Sequence, residues 1–129
     1  MQAKTTLCVA AIAGFTGVAL GAFGAHALKG VLTAQQLGWW NTAVLYHLVH
    51  AAVLLGLAAW LFIQPSRALK VSAVLMLVGL VLFSGSLYTM ALTDIRALGM
   101  VTPLGGLSWL AGWAALAVAA FNIQTQEQV

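Results

Sequence analysis

The sequence predicts an all-α fold, an integral membrane four-helix up-down bundle. Three observations carry this. The chain of 129 residues is 63% hydrophobic and 5% charged, against about 25% charged in soluble proteins. Four apolar segments, at about 5–28, 41–63, 71–92 and 103–121, are each near the roughly 20 residues that cross a hydrocarbon core of about 30 Å. The connections between them are short and carry the breakers, as in Gln64-Pro65-Ser66-Arg67, which makes neighbouring helices antiparallel. The whole chain, 1–129, therefore reads as one four-span transmembrane domain. Seven charged residues cannot cover a soluble surface. A net charge of +3 is also too sparse for nucleic acid and fits membrane flanks.

Segment one has a rival reading. Lys4, an apolar run and Ala25-His26-Ala27 imitate a signal peptide with its cleavage site. The run exceeds the usual h-region of about 7–15 residues, so a span is the better reading. Cys8, the single cysteine, reads as a small buried apolar residue. Gly14, Gly17, Gly21 and Gly24 fall in an arc of about 80° on a helix. Their missing side chains let another backbone come close. Intrachain packing is the first expectation for this stripe, and a homodimer seam the second.

Segment two is entered through Thr33-Ala34-Gln35-Gln36, a capping-box pattern, so its helix is expected to begin near Ala34. Trp39 and Trp40 read as a headgroup-level boundary. Tyr46, His47 and His50 then fall within an arc of roughly 100°, with His50 about 15 Å of helix beyond Trp40. Ionisable groups at this depth are costly and are candidates for function. In segment three, Ser84 and Tyr88 share one face, and Gly79 and Ser86 another. Segment four opens with Thr102-Pro103, a cap followed by proline at the first helical position. Trp109 and Trp113 then share a face.

On this topology His26, Tyr46, His47, His50, Ser84, Ser86, Tyr88 and Thr102 are expected to form a polar cluster in the half of the bundle away from the termini, centred on His50. His50 is expected to bond to Ser84, Tyr88 or a backbone carbonyl. Lys4, Arg67 and Lys70 lie on the termini side, against Lys29 and Arg96 on the other, which favours cytoplasmic termini.

Other chemistries weigh less. His47 and His50, three apart, are candidate metal ligands, and histidines on two helices could hold haem iron. No cysteine or carboxylate lies near to complete a site, so no cofactor is assigned. The acidic residues are Asp94, in a loop, and Glu127, in the tail. Neither is placed to orient a histidine as in a triad, so the sequence leans away from an enzyme. Proton handling, as a small transporter or an oligomeric pore, is the alternative function. It would need a polar route through the termini-side half, where only Thr5, Thr6, Cys8 and Ser72 are found.

Gly21-Ala22-Phe23-Gly24-Ala25-His26-Ala27-Leu28-Lys29, Trp40-Asn41-Thr42-Ala43-Val44-Leu45-Tyr46-His47-Leu48-Val49-His50-Ala51, Phe83-Ser84-Gly85-Ser86-Leu87-Tyr88 and Thr102-Pro103-Leu104-Gly105-Gly106-Leu107 with Gly112-Trp113 together resemble the YgdD-like family. These are small bacterial inner-membrane proteins, with eukaryotic relatives, that carry a domain of unknown function. The resemblance covers nearly the whole chain in order. It implies a four-span protein of the bacterial inner membrane and no activity. In that family the position of His47 is often glutamine, while His50 matches the family histidine. The expected role is a non-catalytic accessory, assembly or lipid-organising component. Its partners would be the lipid bilayer and either a second copy of itself or a larger membrane complex.

Overall fold

The computed structural model describes residues 1–123, so Glu127 lies outside the described residues. Four helices follow one another: α1 Ala3–His26, α2 Ala34–Ile63, α3 Arg67–Thr93 and α4 Thr102–Phe121. A 3₁₀ turn, Arg96–Met100, precedes α4. All four are long and apolar enough to cross a membrane. The shortest, α4 with 20 residues, extends about 30 Å, one hydrocarbon core. The 30 residues of α2 exceed that length.

The helix ends follow from local chemistry. Thr33 forms the capping box with Gln36. Its hydroxyl accepts from the Gln36 N–H at 3.2 Å, and the Gln36 side chain accepts from the Thr33 N–H at 2.9 Å. Ser66 caps α3 by accepting from Leu69 N–H. Asp94 ends α3 with φ 55°, a left-handed conformation that a short polar side chain tolerates. The entry to α4 differs from expectation. Val101 before it is helical, φ −79° and ψ −34°, and no side chain caps the helix. The preceding 3₁₀ turn runs straight into α4, so Thr102 is the first helical residue and its hydroxyl is free for another partner.

The exterior is apolar. Phe15 is 78% exposed and Phe121 90%, and Ile12, Leu107 and Leu110 also face outward. Such a surface is stable only against hydrocarbon. Cys8 is on this outer face of α1, which corrects its expected burial. With lipid outside, a thiol-sized side chain gains little by turning inward. The N-terminus, Arg67 and Lys70 line one groove at the end of the bundle. At the opposite end Arg96 pairs with Asp94 at 3.6 Å and lies over the Trp39 ring at 5.8 Å.

Close helix packing, among the described residues, joins consecutive helices: α1 to α2, α2 to α3, α3 to α4. Two buried tryptophans repeat one device at these seams. The Trp40 indole N–H donates to the Leu20 carbonyl of α1 at 3.0 Å, and its ring lies where a Gly24 side chain would be. The Trp109 indole N–H donates to the Met76 carbonyl of α3 at 3.0 Å, and its ring occupies the space left by Gly79. A glycine leaves the helix surface bare, so a flat ring can settle on the backbone and reach a carbonyl. Trp40 is thus a packing residue turned to α1, while Trp39 is partly exposed beneath Arg96.

Three of the four stripe glycines meet α2. A side chain at Gly17 would strike Leu48 and His47, at Gly21 Val44, and at Gly24 Trp40. Gly14 faces open space and is corrected out of the packing stripe: it lies at the edge of the arc, and at that level Ala10 and Ala13 are the buried residues of α1.

Candidate functional site

The expected single cluster resolves into separate groups, each tying two or three helices. The first is built on His47, which is buried. Its Nε2 is 2.8 Å from the Ala13 carbonyl of α1, and its Nδ1 is 2.9 Å from the Tyr88 hydroxyl of α3. The carbonyl only accepts, so Nε2–H donates to it. In the neutral ring Nδ1 is then the acceptor, and Tyr88 O–H donates. One proton arrangement therefore satisfies the ring and joins α3, α2 and α1. Thr16 stands 3.3 Å from Nε2, its own hydroxyl donating to Ile12.

This overturns the expectation that His50 is the centre. The His50 ring faces α4. Its Nδ1 bonds, at 2.8 Å, to a backbone carbonyl, one of its three expected partners, but that of Tyr46, one turn back on the same helix, so the bond binds no neighbour. Ser84 is not its partner either. That hydroxyl donates to the Ala43 carbonyl at 2.9 Å and fastens α3 to α2. The His50 ring lies flat on Trp109, centroids 3.7 Å apart and planes within 4°. Tyr46 belongs to this aromatic group, 5.7 Å from Trp109 and 4.8 Å from Phe83. Trp113 stands across His50 at 6.4 Å. His47 and His50 thus turn to different neighbours. His47 has a partner at each ring nitrogen, so the two do not present a shared pair of metal ligands. Among the described residues no three His, Cys, Asp or Glu side chains gather where they could hold an ion.

The third group is Ser86 and Thr102, 2.6 Å apart. Ser86 donates to the Phe83 carbonyl at 2.9 Å, which leaves Thr102 to donate to Ser86. Here the hydroxyl released from capping joins α4 to α3. His26 belongs to none of these groups. It ends α1, exposed, since the helix face bearing Gly17, Gly21 and Gly24 turns to α2 and leaves His26 on another side.

Two residues were missed. Thr16 adjoins His47, and Ser108 donates to the Leu75 carbonyl at 2.8 Å. Ser72 makes the reciprocal bond to the Gly112 carbonyl at 2.8 Å, so α3 and α4 exchange hydroxyls. The available signals were adjacency: Thr16 precedes stripe residue Gly17, and Ser108 precedes Trp109.

Comparison with known proteins identifies the family. The family described as "Protein of unknown function (DUF423)" matches residues 20–106. The UPF0382 inner membrane protein YgdD of Escherichia coli (strain K12) is 44% identical over 124 residues, 96% of this chain and 95% of its own length. The UPF0382 membrane protein YwdK of Bacillus subtilis (strain 168) is 42% identical over 125 residues, 91% and 96% respectively. A UPF0382 membrane protein of Haemophilus influenzae is 37% identical over 116 residues, 90% and 93%. No solved structure matches the chain. With four apolar helices, a lipid-facing exterior and similarity along nearly its full length, the chain is a membrane protein that belongs to the DUF423 family.

Proposed function

We propose that the protein is a non-catalytic component of the bacterial inner membrane, one four-span domain that organises lipid or supports a larger membrane assembly. One observation carries this. His50 apart, the buried polar side chains between helices hold helix to helix: His47 to Ala13 and Tyr88, Ser84 to Ala43, Ser72 to Gly112. Relays for protons or ions need groups that can exchange partners, and these have one satisfied arrangement. Proteoliposomes loaded with a pH-sensitive dye test the reading. Under a potassium-driven potential, proton leak is expected to equal that of empty vesicles. A leak above that level that disappears in His47→Leu would establish proton handling instead.

Both termini are assigned to the cytoplasm. Lys4, Arg67 and Lys70 outnumber Lys29 and Arg96, and lysine and arginine favour the cytoplasmic side. Alkaline phosphatase fused after Val129 is expected to be inactive in intact cells, and phosphatase fused within the loop at Gly30 active. The reverse pair of activities sinks the orientation.

A further inference from the structure

Between α2 and α4 lies a groove of about 590 Å³, walled by Tyr46, His50, Phe83, Trp109 and Trp113. Its size falls within the roughly 300–1,000 Å³ of small-molecule sites. Leu107 and Leu110 at its rim are 61% and 67% exposed, so it opens sideways into lipid. One polar atom in its wall stands out. His50 is 5% exposed, and its Nε2 is buried without a hydrogen-bond partner among the described residues. Nδ1 gives its proton to the Tyr46 carbonyl. In the neutral ring Nε2 therefore carries a lone pair and no hydrogen. What this atom lacks is a donor.

We propose that this groove binds a lipid-soluble phenol, a flat ring bearing a free hydroxyl and an apolar tail, the chemistry of an isoprenoid hydroquinone. The hydroxyl donates to His50 Nε2. The ring extends an existing stack: His50 and Trp109 are parallel within 4°, and Tyr46 lies within 13° of both. A further flat ring packs favourably beside such parallel neighbours. The tail leaves over Leu107 and Leu110 into the bilayer. Depth excludes a phospholipid headgroup. From Trp39, where the sequence pattern puts the boundary, to His50 is about 16 Å of helix, close to the middle of a core of about 30 Å, where phosphate and glycerol do not reach. Nε2 is closed off at rest, so the ligand must shift a lining side chain. Trp113 has the room, being 45% exposed and standing across the imidazole at 6.4 Å. The site is independent of the accessory role proposed above.

The test uses the full chain in phosphatidylcholine nanodiscs, with anaerobic decyl-hydroquinone as probe and its dimethyl ether, which has no O–H, as control. Affinity is read from the ligand-dependent rise in unfolding midpoint, with partition into empty nanodiscs subtracted. Decyl-hydroquinone is expected to bind saturably, and the ether about tenfold more weakly, as befits a lost hydrogen bond at a buried acceptor. His50→Phe keeps a stacking ring and removes Nε2, and is expected to bind both compounds equally weakly. Gly106→Leu serves as the variant that folds: a β-carbon there meets nothing within 4 Å, and because Gly106 lines the groove the leucine is expected to fill it and abolish saturable binding. Equal binding of the hydroquinone and its ether to the wild type overturns the proposal, as does binding that survives both substitutions or no binding at all. A Soret band in protein from native membranes, lost in His50→Phe, also overturns it and assigns the lone pair to iron.

Discussion

His47→Leu is expected to destabilise the protein by about 2–3 kcal/mol, through two lost interhelical bonds of about 1 kcal/mol each and a tyrosine hydroxyl left without its partner. The bonds at stake are those to Ala13 and Tyr88. They tie three helices through one ring, so their loss loosens α1 and α3 together. His47→Gln is expected to cost about half as much, because its amide has the reach of Nε2 and still donates to the carbonyl, while it presents no acceptor at the Nδ1 position. His26→Leu, on an exposed helix end, serves as the neutral reference. Unfolding of the purified variants in one detergent ranks them. If His47→Leu melts with the wild type, the ring is not the node of the bundle.

An equally large effect is expected at Gly105. A side chain there would fall on the backbone nitrogen and α-carbon of Phe83 in α3. A neighbouring side chain could rotate away, whereas a helix backbone cannot, so α4 must retreat from α3. Retreat also strains the Trp109 bond to Met76 and the Ser108 bond to Leu75. Gly105→Ala is expected to cost about 3 kcal/mol, the upper end of ordinary overpacking. The adjacent Gly106→Ala supplies the opposite sign. Its side chain meets nothing within 4 Å, and alanine is better than glycine in a helix by up to about 1 kcal/mol. A single methyl group moved by one residue thus separates loss from gain. Equal unfolding midpoints for the two variants would show that α3 and α4 are not in backbone contact.

What could be read beforehand depended on the kind of signal. The four helices announce themselves, since a run of about 20 apolar residues between polar breaks has few other solutions. Thr33 to Gln36 is a local motif and was legible for the same reason. The shared face of Ser84 and Tyr88 was legible too, and both turn to α2. The allocation of His47 and His50 was not. In water a helix declares its inner face by being polar on the other side. These helices are apolar all round, so periodicity does not say which neighbour a residue meets. His47 and His50 are separated by about 60° around α2, and that small angle sends one towards α1 and α3 and the other towards α4. Thr102 was misjudged because proline after threonine imitates a helix start, while the turn before it was already helical.

The order of the seams has a consequence in time. Each helix packs on the one made just before it, so a chain entering the bilayer from its N-terminus never waits for a distant partner. Once α3 has arrived, the ring of His47 already holds both its bonds. The first three helices can be locked while the fourth is still being synthesised. What α4 then brings is Trp109, the cover for His50, together with Ser108 and Thr102, which fasten it down. The groove beside His50 therefore comes into being only when the fourth helix docks on the first three.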